Sequence, residues 1–141
     1  MIFNLRTAIP QDLDLTYKIK KNVLLEYLEL LWGWNEEAQY EFHQEHFNPN
    51  NFQIIEFAQT SIGYLETELH TDYLFIYNIM ILKPYQQRGI GKMILEDLIK
   101  NNTKIELEVL KVNARAILFY QNLAFTIFAE KEDVFCMRFE K

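Results

Sequence analysis

Residues 86 to 92 read Gln86-Gln87-Arg88-Gly89-Ile90-Gly91-Lys92. Two glycines two positions apart, flanked by Arg88 and Lys92 four positions apart, suit one kind of chemistry, the holding of phosphate. The segment follows an apolar run and precedes a helical pattern, so it opens a helix. The first backbone N–H groups of a helix have no partner inside it and point outward together. The helix dipole adds partial positive charge at that end, and a diphosphate can dock there. Glycines at 89 and 91 keep side chains out of its path.

Three phosphate-binding patterns compete for this segment. A P-loop needs glycine five residues before Gly91 and Ser or Thr after Lys92, where Gln86 and Met93 stand. A dinucleotide fingerprint needs Gly or Ala three residues past Gly91, where Ile94 stands. The third pattern, Gln-x-x-Gly-x-Gly between a central strand and a helix, resembles the pyrophosphate loop of the GNAT acetyltransferase superfamily. Downstream, Asn113, Ala116, Tyr120 and Phe125 fall in register with a pattern similar to that superfamily's second signature, Asn-x-x-Ala-x-x-x-Tyr-x-x-x-Gly-Phe. Ala124 replaces its glycine. Ala116 and Tyr120 are one helical turn apart and share a face. Asn113 can cap its helix or bond an amide-rich ligand such as pantetheine, and Tyr120 can equally be a core tyrosine.

The resemblance implies an acetyl-CoA-dependent N-acetyltransferase in which an amine attacks the thioester directly in a ternary complex. Acetyl-coenzyme A would lie where the strand over 73–82 splays from the strand over 104–110. Its diphosphate would meet Gln86, Gln87, Arg88, Gly89, Ile90, Gly91 and Lys92, and its carbonyl a backbone N–H near Ile79 to Ile81. Asn113, Ala116 and Tyr120 would complete the cofactor site. Tyr120 would give the leaving thiolate its proton, since a tyrosine pKa of about 10 is near a thiol's roughly 8.5.

An alkyl amine with a pKa of about 10.4 is on the order of one part in a thousand neutral near pH 7.4, so a base is needed. Glu66, Glu68, Asp72 and His70 are candidates, with Glu66 and Glu68 foremost, and a water chain is the alternative. The strand over 73–82 has no carboxylate; Asn78 is its polar residue apart from tyrosines. From Asn22 to Leu82 there is no Lys or Arg but ten acids, whereas the rest of the chain carries fourteen basic and ten acidic groups. An anionic stretch attracts a cation, and equally serves as a solvated surface. Tyr27, Glu29, Trp32, Trp34 and Asn78 are the acceptor-binding candidates, with Glu26, Glu37 and Tyr40 beside them, because aromatics with carboxylates suit an ammonium. Small amines, amino acids, aminoglycoside-like cations, protein N-termini and lysines all stay open as acceptors.

His43 and His46, three apart on a helix, lack a third ligand and make a poor zinc site; a solvated helix face is the better reading, and no metal is expected. Cys136 reads as a buried hydrophobe. The alternative function is a catalytically silent acyl-CoA-binding sensor or interaction module. A nucleotide hydrolase would need the P-loop that fails here.

These residues require a scaffold. The patterns predict a strand over 2–8 and a helix from Pro10 to about Leu31, with Pro10 suited to the first turn. A second helix runs to about Phe47, capped by Asn35 with Glu36 and Glu37 in its first turn. A loop over 48–51 precedes strands over 52–58 and 62–69, joined by a hairpin connection at Gln59-Thr60-Ser61. The strand over 73–82 is apolar on both faces, as a central strand requires. A helix over 89–101, a strand over 104–110, a helix over 114–123 and strands over 125–129 and 134–139 follow. The order β-α-α-β-β-β-α-β-α-β-β is an α/β layer fold. With the resemblance, it implies a GNAT-like mixed, mostly antiparallel six- to seven-stranded sheet with helices on both faces.

The 141 residues fit a single acetyltransferase domain over 1–141. The start, Met1-Ile2-Phe3-Asn4-Leu5-Arg6, lacks a signal-peptide pattern. No apolar run nears the roughly 20 residues of a membrane span, and one cysteine permits no internal disulfide. These features favour the cytoplasm. The net charge of -6 disfavours nucleic-acid binding. Among relatives in the superfamily a homodimer is common, so the resemblance leaves one open.

Overall fold

The computed structural model describes residues 3–141. It contains seven strands and four α-helices: β1 (Phe3–Thr7), α1 (Leu13–Leu31), α2 (Glu36–His46), β2 (Phe52–Phe57), β3 (Thr60–Leu69), β4 (Leu74–Ile81), α3 (Ile90–Asn101), β5 (Lys104–Leu110), α4 (Ala114–Asn122), β6 (Thr126–Glu130) and β7 (Val134–Glu140). The order matches the one the sequence predicts. Ile2, expected to start the first strand, lies outside the described residues. The strand order is β1-β2-β3-β4-β5-β7-β6, mostly antiparallel. The chain divides into two compact units, and β3 and β4 each run through both. Among the described residues no helix is long and apolar enough to cross a membrane.

The first unit comprises the residues up to Glu66 and Asn78–Arg88. Here β1 pairs antiparallel with β2, and β2 with β3, with a bulge between Ile55 and Glu56. The β2–β3 connection is tighter than expected. Ala58 and Gln59 both have positive φ, 51° and 66°, as a primed two-residue hairpin turn requires, so β3 begins at Thr60 instead of Ile62. Gly63 is forced by proximity, because a Cβ there would stand 2.1 Å from the Met80 carbonyl oxygen. Ala8, Ile19, Phe52, Ile54, Tyr64 and Met80 form the core.

Helix α1 starts at a short 3-10 turn over Pro10–Asp12, where Asp12 accepts bonds from Arg6 at 2.8 and 3.1 Å and from the Ile9 N–H at 2.9 Å. The Arg6 hydrogen bond, opposed by burial, holds the Asp12 carboxyl below its ordinary range. Asn35 caps α2 by accepting from the Ala38 N–H at 2.9 Å. His43 corrects the solvated reading of this helix. It is 3% exposed, with Nε2 2.8 Å from Thr16 Oγ1, because α2 turns this face onto α1; His46 is exposed. The expected loop over 48–51 contains a 3-10 turn at Pro49–Asn51, capped by Asn48.

The second unit comprises Thr67–Tyr77 and Gly89–Lys141. Here β4 pairs parallel with β5 from Leu74↔Ile105 to Ile76↔Leu107. Antiparallel β7 follows β5 from Lys104↔Glu140 to Leu110↔Val134, and β6 lies at the edge. Ile90, Ile94 and Leu95 of α3 are buried, as are Ile105, Leu107 and Val109 of β5. Cys136 is buried, as expected. The strand expected to be apolar on both faces is not buried throughout: Tyr77 is 47% exposed, at the first position past the β5 ladder.

Candidate active site

After β4 the chain turns through a 3-10 segment, Lys83–Tyr85, with Pro84 in its first turn. Gln86 then reaches back, its Nε2 donating to the Ile81 carbonyl at 2.8 Å. That bond ties the turn to the end of β4. Arg88 lies over the Tyr85 ring, 5.3 Å from its centroid, and Lys83 is bonded through its N–H to Asn22 Oδ1 at 3.2 Å. Gln87 and Gly89 both have positive φ, 62° and 84°. Glycine is what makes the second of these inexpensive.

Gly89 is the N-cap of α3, and no side chain caps it. The first intrahelical bond runs from Met93 N–H to the Gly89 carbonyl at 3.0 Å. The N–H groups of Ile90, Gly91 and Lys92 therefore have no helical carbonyl to meet. A Cβ at Gly89 would meet nothing within 4 Å, so the space beside this helix start is open. An uncapped amide cluster, open space and the dipole's positive end fit a diphosphate. Ile90, expected among the binding residues, points its side chain inward at 1% exposure and can contribute only its backbone.

Tyr120 lies on α4 of the second unit, 8% exposed, packed against Phe119 and Phe125 at centroid distances of 5.2 and 5.6 Å. Burial raises its pKa well above the ordinary tyrosine value. Its phenol therefore stays protonated but is a weaker acid than the ordinary tyrosine expected from the sequence. Asn113 takes the capping role, Oδ1 accepting from the Ala116 N–H at 3.1 Å. Ala124 has φ +70°, so the position where the second signature carries glycine demands a left-handed residue here too.

The base candidates fall in two places. In the first unit, Glu66 Oε1 accepts from Asn78 Nδ2 at 2.7 Å. Lys20 of α1, absent from the sequence-derived candidates, is half-buried; burial lowers its pKa and the Glu66 charge opposes that. In the second unit, Glu68 Oε1 accepts from Tyr77 Oη at 3.2 Å and lies 3.0 Å from His70 Nε2. Asp72 is exposed on the turn.

The acceptor candidates divide as well. Trp34 Nε1 donates to Glu36 Oε2 at 2.8 Å, and its ring is 6.5 Å from that of Tyr17. Tyr40 Oη donates to Asp14 Oδ1 at 2.6 Å. Both residues thus lock α2 onto α1. Glu29 and Trp32, the latter 62% exposed, stand at the exposed C-terminal end of α1, with Tyr27 half-buried nearby in sequence. Tyr77 and Lys20 escape sequence reasoning because an aromatic in an apolar strand and a lysine on an amphipathic helix carry no distinguishing signal.

The profile of the acetyltransferase (GNAT) family matches residues 19–125. No curated protein matches the chain. Among solved structures, the PaiA N-acetyltransferase of Thermoplasma acidophilum in complex with coenzyme A aligns with a TM-score of 0.80 at 16% identity, covering 100% of both chains. The ribosomal-protein-S18-alanine N-acetyltransferase of Escherichia coli aligns at 0.71 and 21% identity, covering 97% of this chain and 92% of its own. Arabidopsis thaliana Naa50, in complex with the bisubstrate analogue CoA-Ac-MVNAL, aligns at 0.65 and 17% identity over 100% of both. At these identities the likeness is one of fold.

Proposed function

The chain belongs to the acetyltransferase (GNAT) family, and on that premise we propose how it moves an acetyl group from acetyl-coenzyme A to an amine. The observation that carries the proposal is the uncapped start of α3, where Gly89 at φ +84° leads into N–H groups that the helix leaves unbonded. The turn over 86–92 holds the coenzyme's diphosphate through the backbone of Gly89, Ile90, Gly91 and Lys92, with Gln87, Arg88 and Lys92 supplying polar and cationic side chains. Gln86 serves by holding the turn to β4. A backbone N–H of Ile79 or Ile81 orients the thioester carbonyl, and Ala116 leaves room on the α4 face that also bears Tyr120.

Bound acetyl-coenzyme A supplies the activated acyl carbon. The chain's own residues manage the protons. Tyr120, kept neutral by burial, gives the departing sulfur its proton. Glu66 and Glu68 are the carboxylates that serve the acceptor, with Asn78 fixing Glu66. The acceptor is a primary amine, and the acids of the stretch over 22–82 favour a cationic one, as a small molecule or a peptide or protein amine. Tyr27, Glu29 and Trp32 form its approach surface, and residues 1–141 act as one acetyltransferase domain.

The test is release of free thiol from acetyl-coenzyme A with a panel of alkyl diamines, polyamines, amino acids and peptides. Amine-dependent release by the wild-type protein supports the reading. Tight coenzyme binding with no release across the panel would favour a silent sensor instead.

A further inference from the structure

We propose that Tyr77, Glu68 and His70 form a relay that takes a proton from the acceptor ammonium and delivers it to solvent, with Tyr77 touching the amine. The inference rests on the transferase reading and deepens it by naming the base.

Three observations within the second unit carry it. First, the β4–β5 ladder ends at Ile76↔Leu107 although both strands continue. Tyr77 is the next residue, and its side chain is 47% exposed between buried Ile76 and half-buried Asn78. The phenol thus stands just past the last β4–β5 pair, on the strand proposed to orient the thioester. Second, Tyr77 Oη donates to Glu68 Oε1 at 3.2 Å. Third, the same carboxylate oxygen is 3.0 Å from His70 Nε2, and the His70 ring is held by stacking on Tyr73 at 4.7 Å and 14°. His70 is exposed. The three side chains therefore run without a break from the end of the β4–β5 ladder to water. Glu66 is differently placed. Asn78 holds its Oε1, which suits a carboxylate that attracts a cation.

The protons balance. One ammonium proton moves to the Tyr77 oxygen as the phenol proton moves to Glu68, so Tyr77 is neutral before and after. Glu68 passes the proton on to the His70 ring, which releases one to water. The free amine then attacks, the C–N bond forms and the C–S bond breaks. Tyr120 gives its proton to sulfur, and the second nitrogen proton restores Tyr120. The net products are amide, thiol and one proton. The other charged groups on these elements are accounted for. Asp72 is exposed on the hairpin turn. On the paired strand β5, Glu106 meets Arg138 at 2.9 Å and Lys104 at 3.8 Å, and Glu108 meets Lys131 at 2.6 Å.

The test uses whichever amine of the panel the wild-type protein acetylates. Tyr77→Phe keeps the ring contact with Phe75, now 4.8 Å, but cannot relay. It should lower kcat at pH 7 by roughly 100-fold with unchanged coenzyme A affinity and melting temperature. The deficit should shrink as pH rises towards the amine's own pKa, about 10.4 for an alkyl amine, because less ammonium needs deprotonation. Glu68→Gln and His70→Gln should behave alike, and Glu68→Asp should recover part of the rate. In the free protein, Tyr77→Phe should also shift the imidazole 15N resonances of His70 through Glu68. Unchanged kcat, a deficit constant with pH, or unmoved His70 resonances overturn the relay and leave the transferase reading standing. No thiol release by the wild-type protein with any amine overturns both.

Discussion

Thr16 Oγ1 and His43 Nε2 lie 2.8 Å apart in a buried contact that joins α1 to α2. The Thr16 hydroxyl is itself engaged with the carbonyls of Asp12 and Leu13 at 2.9 and 3.0 Å. Its proton goes to the helix backbone, so the imidazole donates to it through Nε2. Burial and, next, the charge of Lys20 push the His43 pKa down to about 4. The folded protein thus holds this ring neutral, whereas the unfolded chain protonates it near the ordinary value of about 6.5. The unfolded state then binds more protons below that pH, so stability falls with acid.

From this follows a stability window. His43 should contribute fully above about pH 6.5 and lose on the order of 3 kcal/mol as pH drops to about 4. Denaturant unfolding across that range should show the slope, and His43→Phe should remove it. A slope of equal size in the variant would contradict the assignment. Asp12 acts in a separate window. Its carboxyl is held low by Arg6, so its contribution is present above the ordinary carboxylate pKa of about 4 and is lost only on further acidification.

Tyr120 is buried, packed against Phe119 and Phe125, and kept protonated. Tyr120→Phe conserves that packing and removes only the hydroxyl. Turnover should drop on the order of a hundredfold, while coenzyme A affinity stays within about threefold. Steady-state kinetics beside a binding titration checks this, and unchanged turnover would take the acid role from Tyr120.

Ala124 at φ +70° carries a side chain in a conformation that costs roughly 1–2 kcal/mol. It is exposed, so Ala124→Gly sacrifices no packing. Against the extra unfolded-state entropy of glycine, about 0.4–1 kcal/mol, the exchange should still stabilise by about 0.5–1 kcal/mol. Thermal unfolding should rise by roughly 1–3 °C. A lower melting temperature would mean that Ala124 is not strained.

The sequence discloses what depends on neighbours in the chain. Asn35 and Asn113 announce the caps they form, Pro10 the entry to α1, and the glycine-rich turn the start of α3. It does not disclose pairings across long separations. His43 meets Thr16 27 residues away, and no helical periodicity marks that face as buried. The hairpin at Ala58-Gln59 was hidden because neither residue is a usual choice for positive φ. Glu68 was legible as a carboxylate on a strand, but its link to Tyr77 and His70 comes from how β3, the turn and β4 bring the three together. Trp34 and Tyr40 read as pocket aromatics, yet they are spent on helix packing, since a tyrosine or tryptophan signals burial and recognition alike.

The central claim is that the turn over 86–92 holds a coenzyme's diphosphate on the open start of α3. Titration calorimetry of coenzyme A into the wild-type protein and into Gly89→Glu tests it most directly. The variant forces a charged side chain into φ +84° beside the amides that would receive phosphate. Saturable binding by the wild type and its loss, by at least about a hundredfold, in a variant that still folds is the predicted result. Equal affinity in the two proteins would contradict the account.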